Sequence, residues 1–192
     1  AFGLGHPHHA LGRIIARFDE AAAALTAGDG PRATYNVGRI GGGTSVNSIP
    51  FESWMEVDMR STDATLLNAL DRALKAASEA GLAEENEARA RGPALTLELE
   101  SVGVRPAGVS DPNSALVRDA VAAMTHIGLT PEFEASSTDA NVPISLGIPA
   151  VTVSRGGVSG GAHALDEWWR NENSHIAPQI GLLIVLAQAR PV

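Results

Sequence analysis

The chain has 192 residues, of which 44% are hydrophobic and only 4% aromatic, so it can bury an aliphatic core in one large domain or two small ones. Its formal net charge of -8 argues against a nucleic-acid partner, because phosphate binding needs clustered Lys and Arg. The chain has no cysteine, which excludes a disulfide framework and fits a reducing cytoplasm. The longest apolar run, residues 180–187, is far shorter than the roughly 20 residues that a membrane-spanning helix needs.

In the first half of the chain, hydrophobic periodicity predicts helices and strands. Leu11, Ile14 and Phe18 share one face of a predicted helix at 9–25, and apolar and polar residues alternate along a predicted strand at 51–60. The other predicted elements are a strand at 34–40, a helix that follows a cap among residues 61–63 and ends near Gly81, a charged loop or frayed helix end at 84–92, and a strand at 95–104.

The pattern changes after residues 105–108, which we interpret as a domain junction. An Asp-Pro pair at 111–112 is typical of a helix start, and Gly128 is typical of a helix end. The short apolar run at 150–153 predicts a strand that is buried on both faces. The last predicted helix, at 178–189, is so apolar that we expect it to be largely buried.

These elements predict two domains, at residues 1–107 and 108–192. The first is a two-layer α+β domain with two helices on one face of an antiparallel sheet, ferredoxin-like but lacking its first strand. The second is the C-terminal part of an α/β domain with a mostly parallel sheet.

The glycine-rich stretch at 38–50 (GRIGGGTSVNSIP) does not fit a phosphate-binding loop. Such loops lead into a helix whose backbone N–H groups face the anion, whereas these glycines are followed by β-branched residues and Pro50. We interpret the stretch as a loop between two strands, in which glycine permits positive φ and a close approach of another backbone. Asn47 is then either a turn residue or a group presented to a ligand or another subunit.

Two clusters of ionisable residues have spacings that mimic functional sites. The histidines at positions 6, 8 and 9 resemble a metal-binding tract, but they match no zinc spacing, so we predict that they are solvated. Glu84 and Glu85 resemble a catalytic carboxylate pair, but they lie in a charged run, which favours a solvated surface.

The glycine stretch and the segment after it resemble a known family. Residues 38–50, followed by Trp54–Ser61 (WMEVDMRS), resemble the lid domain of the zinc-dependent aminoacylase and peptidase family, which has Asn-x-Ile-Pro and then a strand that ends in Asp-x-Arg-Ser. Residues 137–141, 147–149 and 160–167 resemble the last part of its catalytic domain. The family includes acetylornithine deacetylase, succinyl-diaminopimelate desuccinylase, glutamate carboxypeptidase and tripeptide aminopeptidase.

The resemblance implies that the chain is a C-terminal fragment that begins within the lid. Residues 1–107 would be the lid and dimerisation domain, and residues 108–192 the C-terminal part of the catalytic domain. The implied function is that of a cytoplasmic, homodimeric metal-dependent hydrolase, a deacylase or metallopeptidase that uses two zinc ions to cleave an amide bond of small N-acyl amino acids or short peptides.

Most zinc ligands of the family, and its general-base Glu, have no counterpart in this sequence. We therefore expect the isolated chain to be inactive. The alternative function is a non-catalytic dimerisation and substrate-recognition module.

The resemblance also assigns roles to individual residues. His163 corresponds to a zinc ligand, although its local sequence alone favours an ordinary surface histidine. Asp139 and Glu167 would support the zinc site from a second layer. The alternative for Asp139 is a helix cap, and for Glu167 an ordinary surface carboxylate. Arg60 would bind a substrate carboxylate, and its alternative is a surface ion pair with Asp58 or Glu56.

The remaining assigned residues would contact substrate. Asn47 would reach the active site of the partner subunit. Thr138 would bind substrate or only cap a short helix. The backbone N–H groups around Ser154, Gly156 and Gly157 would bind a carboxylate or carbonyl of the substrate.

Overall fold

The structure, a computed structural model, describes residues 3–189. The chain divides between Val102 and Gly103 into two compact units, slightly before the predicted boundary at 107/108. The elements in chain order are α1 (Pro7–Thr26), β1 (Ala33–Gly42), β2 (Ser53–Ser61), α2 (Ala64–Ala88), α3 (Ala115–His126), α4 (Asn141–Ser145), β3 (Val158–Gly160), β4 (Trp168–Arg170) and α5 (Ile176–Gln188). In the first unit, two helices combine with one antiparallel sheet, so the predicted α+β class of the lid is confirmed.

In the first unit, α1 and α2 cover one face of the β1–β2 hairpin. The two strands pair from Ala33 opposite Ser61 to Gly42 opposite Ser53, and the register shifts at Gly38. Side chains alternate between the helix-facing and exposed sides of β2, as its sequence predicts. The core consists of Phe18, Ala22, Leu70 and Ala77, with Tyr35, Val37, Val57 and Met59 packed against it.

The sequence predicts that α2 ends near Gly81, but the helix continues to Ala88. Gly81 is buried against α1, where an added Cβ atom would lie 2.7 Å from Cγ1 and 2.9 Å from the backbone N of Ile14. This glycine therefore serves a close contact between two helices rather than a helix end. The predicted cap is confirmed, since the Asp63 side chain accepts a hydrogen bond from the backbone N of Leu66.

The predicted strand at 95–104 is wrong, because none of its residues joins a sheet. At its start, the side-chain amide of Asn86 takes the place of a neighbouring strand: Nδ2 donates to the carbonyl of Leu95, and Oδ1 accepts from its N–H. Beyond Leu95 the side chains of Leu97 and Leu99 are exposed. The apolar alternation is present in the sequence, but no strand within residues 3–189 pairs with this segment.

In the second unit, α3 packs against α5 around Ala120, Ala123, Ile180 and Ile184. The predicted strand at 150–153 forms no ladder among the described residues, and it is not buried on both faces. Val151 and Val153 pack against the α3–α5 core, while Thr152 between them is exposed. The sheet assigned in this unit is the short antiparallel pair of β3 and β4.

Two expectations for the helices of this unit are wrong. The N-cap of α3 is Ser114, whose hydroxyl accepts from the N–H of Val117, while Asp111 instead accepts from the N–H of Asn113 in the preceding turn. The helix α5 is not largely buried, because only one of its faces contacts α3. Its opposite face exposes Leu182, Val185 and Leu186. Across residues 3–189, no helix is both long enough and apolar enough to cross a membrane.

Candidate functional site: the β1–β2 hairpin and its groove with α1

The glycine stretch forms the end of β1 and the loop to β2, as the sequence predicts. Gly42 and Gly43 both have positive φ, 127° and 77°. An added Cβ atom at Gly42 would collide with the carbonyl oxygen of Glu52, and one at Gly43 would lie 2.9 Å from Nε2 of His8. These glycines therefore allow a tight strand exit against the start of α1, and no helix follows them that could bind phosphate.

Asn47 lies in the exposed loop between the two strands. Its side-chain Oδ1 accepts a hydrogen bond of 2.6 Å from the hydroxyl of Ser45. Val46 and Phe51 in the same loop are fully exposed to solvent. The side chains of Val46, Asn47 and Phe51 in this loop are therefore open to solvent.

The exposed face of the hairpin is a row of charged pairs. Arg60 donates from Nε to Asp58 at 2.6 Å, which is the surface ion pair that the sequence left open as its alternative. Arg39 pairs with Glu56 at 2.7 Å and lies over the ring of Trp54. All of these carboxylates and guanidinium groups are at least half exposed, so each pair contributes little to stability.

A groove separates α1 from β1 on the side of the hairpin away from β2. It has a volume of about 490 Å³ and is lined by Gly12, Ile15, Ala16, Asp19, Tyr35, Asn36 and Val37. The Tyr35 hydroxyl donates to the Asp19 carboxylate at 2.8 Å, and this hydrogen bond raises the pKa of Tyr35. Within residues 3–189, β1 pairs only with β2, so its other edge is free along this groove.

His163 lies in the second unit, in the loop between β3 and β4. The residue is exposed and has a positive φ of 66°. The carboxylate of Glu167 accepts a hydrogen bond from its backbone N–H at 3.2 Å, rather than from its ring. Among residues 3–189 there is no group of three or more His, Asp or Glu side chains that could hold a metal ion.

The other residues with assigned roles in the second unit make local contacts. The hydroxyl of Thr138 accepts from the N–H of Ala140 and also lies 2.9 Å from the hydroxyl of Thr152. It does not cap α4, because the N-cap of that helix is Ala140 and no side chain caps it. Asp139 is fully exposed and pairs with Arg105 at 3.3 Å.

The predicted glycine loop adopts the backbone geometry that only glycine accommodates readily. Gly156 and Gly157 both have a φ of 74°, and their missing Cβ atoms make room for Ser174 and Trp169 respectively. The hydroxyl of Ser154 accepts a hydrogen bond from the N–H of Gly156 at 3.1 Å. The loop is therefore closely packed, and the Ser154 hydroxyl is used within it.

Two residues that the sequence predicts to be solvated are not. Glu85 is only 6% exposed and accepts hydrogen bonds from the backbone N–H of His6 and from Arg13. His6 is half-buried. Glu85 faces α1 because α2 extends two turns beyond Gly81. The prediction that Glu85 is solvated was therefore wrong for the same reason as the prediction that α2 ends near Gly81.

Residues 4–86, less than half of the chain but nearly all of α1, β1, β2 and α2, match the family model of the peptidase dimerisation domain. No curated protein matches the chain. The first unit is therefore similar to a peptidase dimerisation domain.

Proposed function

We propose that the first unit forms a homodimer through the free edge of β1, as the dimerisation and substrate-recognition part of a metal-dependent hydrolase. The observation that supports this most is the unpaired edge of β1 beside the α1 groove, within the segment that matches a peptidase dimerisation domain. An exposed strand edge is a template for pairing with another chain, and natural proteins cover such edges or use them.

The groove explains why a second copy can approach this edge. Gly12 and Ala16 of α1 are small, and an added Cβ atom at Gly12 would meet nothing within 4 Å. A second β1 strand, related by a two-fold axis, would pair antiparallel with the first and place its own α1 beside this helix. The surface is self-complementary in this arrangement because each copy contributes the same strand and the same helix face.

Substrate recognition is the second part of the proposal. Arg60 and the loop that contains Asn47 supply a guanidinium and an amide, which are groups that bind carboxylates and carbonyls. Arg60 is about half exposed, so its pairing with Asp58 is weak enough for a substrate carboxylate to compete. The proposed substrates are small N-acyl amino acids or short peptides, cleaved at an amide bond.

The resemblance implies that His163 binds zinc, so the residues around it should supply the other ligands. Zinc sites in proteins have three or four protein ligands, and residues 3–189 contain no cluster of that size. These residues therefore do not fit a zinc site by themselves, and we derive no hydrolytic step for this chain. His163 remains a proposed single ligand that would need partners from outside the described residues.

The dimer is tested by sedimentation of the chain and of Gly12→Glu. The substitution adds a charge to the groove without a clash inside the subunit, so it should shift dimers to monomers while leaving the helix content unchanged. Ala76→Glu, which adds the same charge at an exposed position of α2, is the matched control and should remain dimeric. A monomeric parent chain, or an unchanged dimer in Gly12→Glu, would refute the proposed interface.

Hydrolysis is tested by adding zinc to the chain with a panel of N-acyl amino acids and dipeptides. We expect no turnover, because the described residues contain no metal cluster that could activate water. Turnover that disappears in His163→Ala would show that the chain is itself a catalyst and would overturn the assignment of a non-catalytic role.

A further inference from the structure

The start of α1 brings three histidine rings together. The rings of His6 and His9 are stacked with their centroids 3.9 Å apart and an angle of 10° between planes, and the ring of His8 lies 5.9 Å from that of His6. The sequence predicts a solvated tract, and His8 and His9 are indeed exposed. His6 differs, because its Nδ1 atom is buried and has no hydrogen-bond partner among the described residues.

This cluster connects α1 to α2. The backbone N–H of His6 donates to Oε1 of Glu85 at 2.8 Å, and Arg13 donates to Oε2 of the same carboxylate at 2.6 Å. Arg13 also reaches Glu84, which Arg17 contacts in turn. The charged and titratable groups that face His6 are thus His8 and His9 of α1 and Glu85 of α2, and Arg13 already neutralises Glu85.

The same cluster connects α1 to the loop that contains Asn47. Nδ1 of His8 lies 2.8 Å from the hydroxyl of Ser53, the first residue of β2. The His8 ring also lies against Gly42 and Gly43, where the loop leaves β1. One histidine side chain is therefore hydrogen-bonded at one end of the loop at 43–52 and lies next to its other end.

We propose that the histidine cluster forms an acid-sensitive clamp, in which protonation of His6 loosens the start of α1 and with it the contact of His8 to the β1–β2 loop. Protonation of His6 would charge a half-buried ring whose Nδ1 atom is itself buried, which is unfavourable. It would also place a positive charge on a ring stacked against His9, at the positive end of the α1 dipole. Both effects oppose the closed arrangement, and this inference does not depend on the proposed dimer or on hydrolysis.

The direction of the pKa shift of His6 agrees with this geometry. Burial lowers the pKa of His6, and His9 and His8 lower it further, whereas Glu85 and the backbone of His6 itself raise it. A histidine whose pKa is lower in the folded state stabilises the fold above its unfolded pKa of about 6.5 and loses that contribution as the pH falls. The clamp should therefore be closed at neutral pH and open in mild acid.

The test is amide hydrogen exchange of the whole chain at about pH 8 and about pH 5, corrected for the intrinsic rates. We expect residues 4–10 and 43–53 to lose protection at the lower pH while the middle of α2 keeps it. In His6→Phe, which retains an aromatic ring but cannot be protonated, this loss should disappear. His126→Gln, which removes an exposed histidine from the other unit, is the matched control and should leave the loss unchanged.

A second measurement covers the case in which His6→Phe does not fold. Ring-proton NMR of the parent chain should give His6 a pKa below its ordinary value, and His9→Gln should raise that pKa because it removes a like charge. The proposal is overturned by equal protection of the loop at both pH values, by an equal loss in His6→Phe, or by an unshifted titration of His6.

Discussion

Single glycines determine how closely the backbone segments of this protein approach one another. From the sequence alone, Gly81 cannot be distinguished from a glycine that ends a helix, because its contact with Ile14 of α1 forms only in the folded protein. The glycines at 42 and 43 could be assigned to a loop from the sequence, because they lie between two segments with the pattern of β-strands. A glycine can thus be assigned from sequence when its neighbours define a turn, but not when a distant helix requires it.

The contact at Gly81 gives a direct prediction. Gly81→Ala should destabilise the first unit by about 1–2 kcal/mol, because the added methyl group must displace the backbone of α1 and this strain exceeds the gain in helix propensity. Gly12→Ala makes the same change in α1 with open space around it, so it should stabilise the chain by about 0.5–1 kcal/mol. Urea unfolding at one protein concentration compares the two, and equal effects of the same sign would contradict the packing described here.

At the scale of elements, local patterns predicted helices and strands well where their partners lie in the same unit. The α1 helix, both strands of the hairpin and the cap of α2 follow from periodicity and from one acidic residue, Asp63. The segments at 95–104 and 150–153 have equally clear apolar patterns but form no ladder among the described residues. Strand formation needs a neighbouring strand, and no property of the segment itself supplies one.

The cap of α2 makes a prediction at this scale. Asp63→Ala should cost about 1 kcal/mol of stability, because the N–H of Leu66 loses its acceptor at the helix start. Asp71→Ala, which removes only the exposed ion pair with Lys75, should cost no more than about 0.5 kcal/mol. Thermal unfolding followed by helix content measures both, and a larger loss in Asp71→Ala than in Asp63→Ala would argue against the cap.

For the whole molecule, the structure divides the chain between Val102 and Gly103, whereas the sequence predicts a junction at 107/108. The sequence predicted the hairpin and loop of the candidate site, but it missed the histidine cluster and the buried Glu85, which depend on how α1 and α2 pack. The sequence also could not show whether Arg60 forms an ion pair, because Asp58 and Glu56 were both possible partners on the same face of the strand. Local order was therefore predictable, whereas contacts between elements were not.

The central claim is that two copies of the chain pair through β1, and the absence of cysteine allows a direct measurement of it. Thr34→Cys and Asn36→Cys each place one thiol on the exposed face of β1, so any disulfide must join two chains. Antiparallel strands place facing Cα atoms about 4.5–5.5 Å apart, within the range that a disulfide bridges. A residue faces its own copy only where the two-fold axis crosses β1, so the same substitution is made in turn along residues 33–42. We expect at least one of these variants to form a covalent dimer rapidly on mild oxidation, while Ala76→Cys on α2 forms no covalent dimer under the same conditions. Cross-linking of Ala76→Cys as fast as that of the β1 variants, or no cross-linking at any position of β1, would contradict the proposed interface.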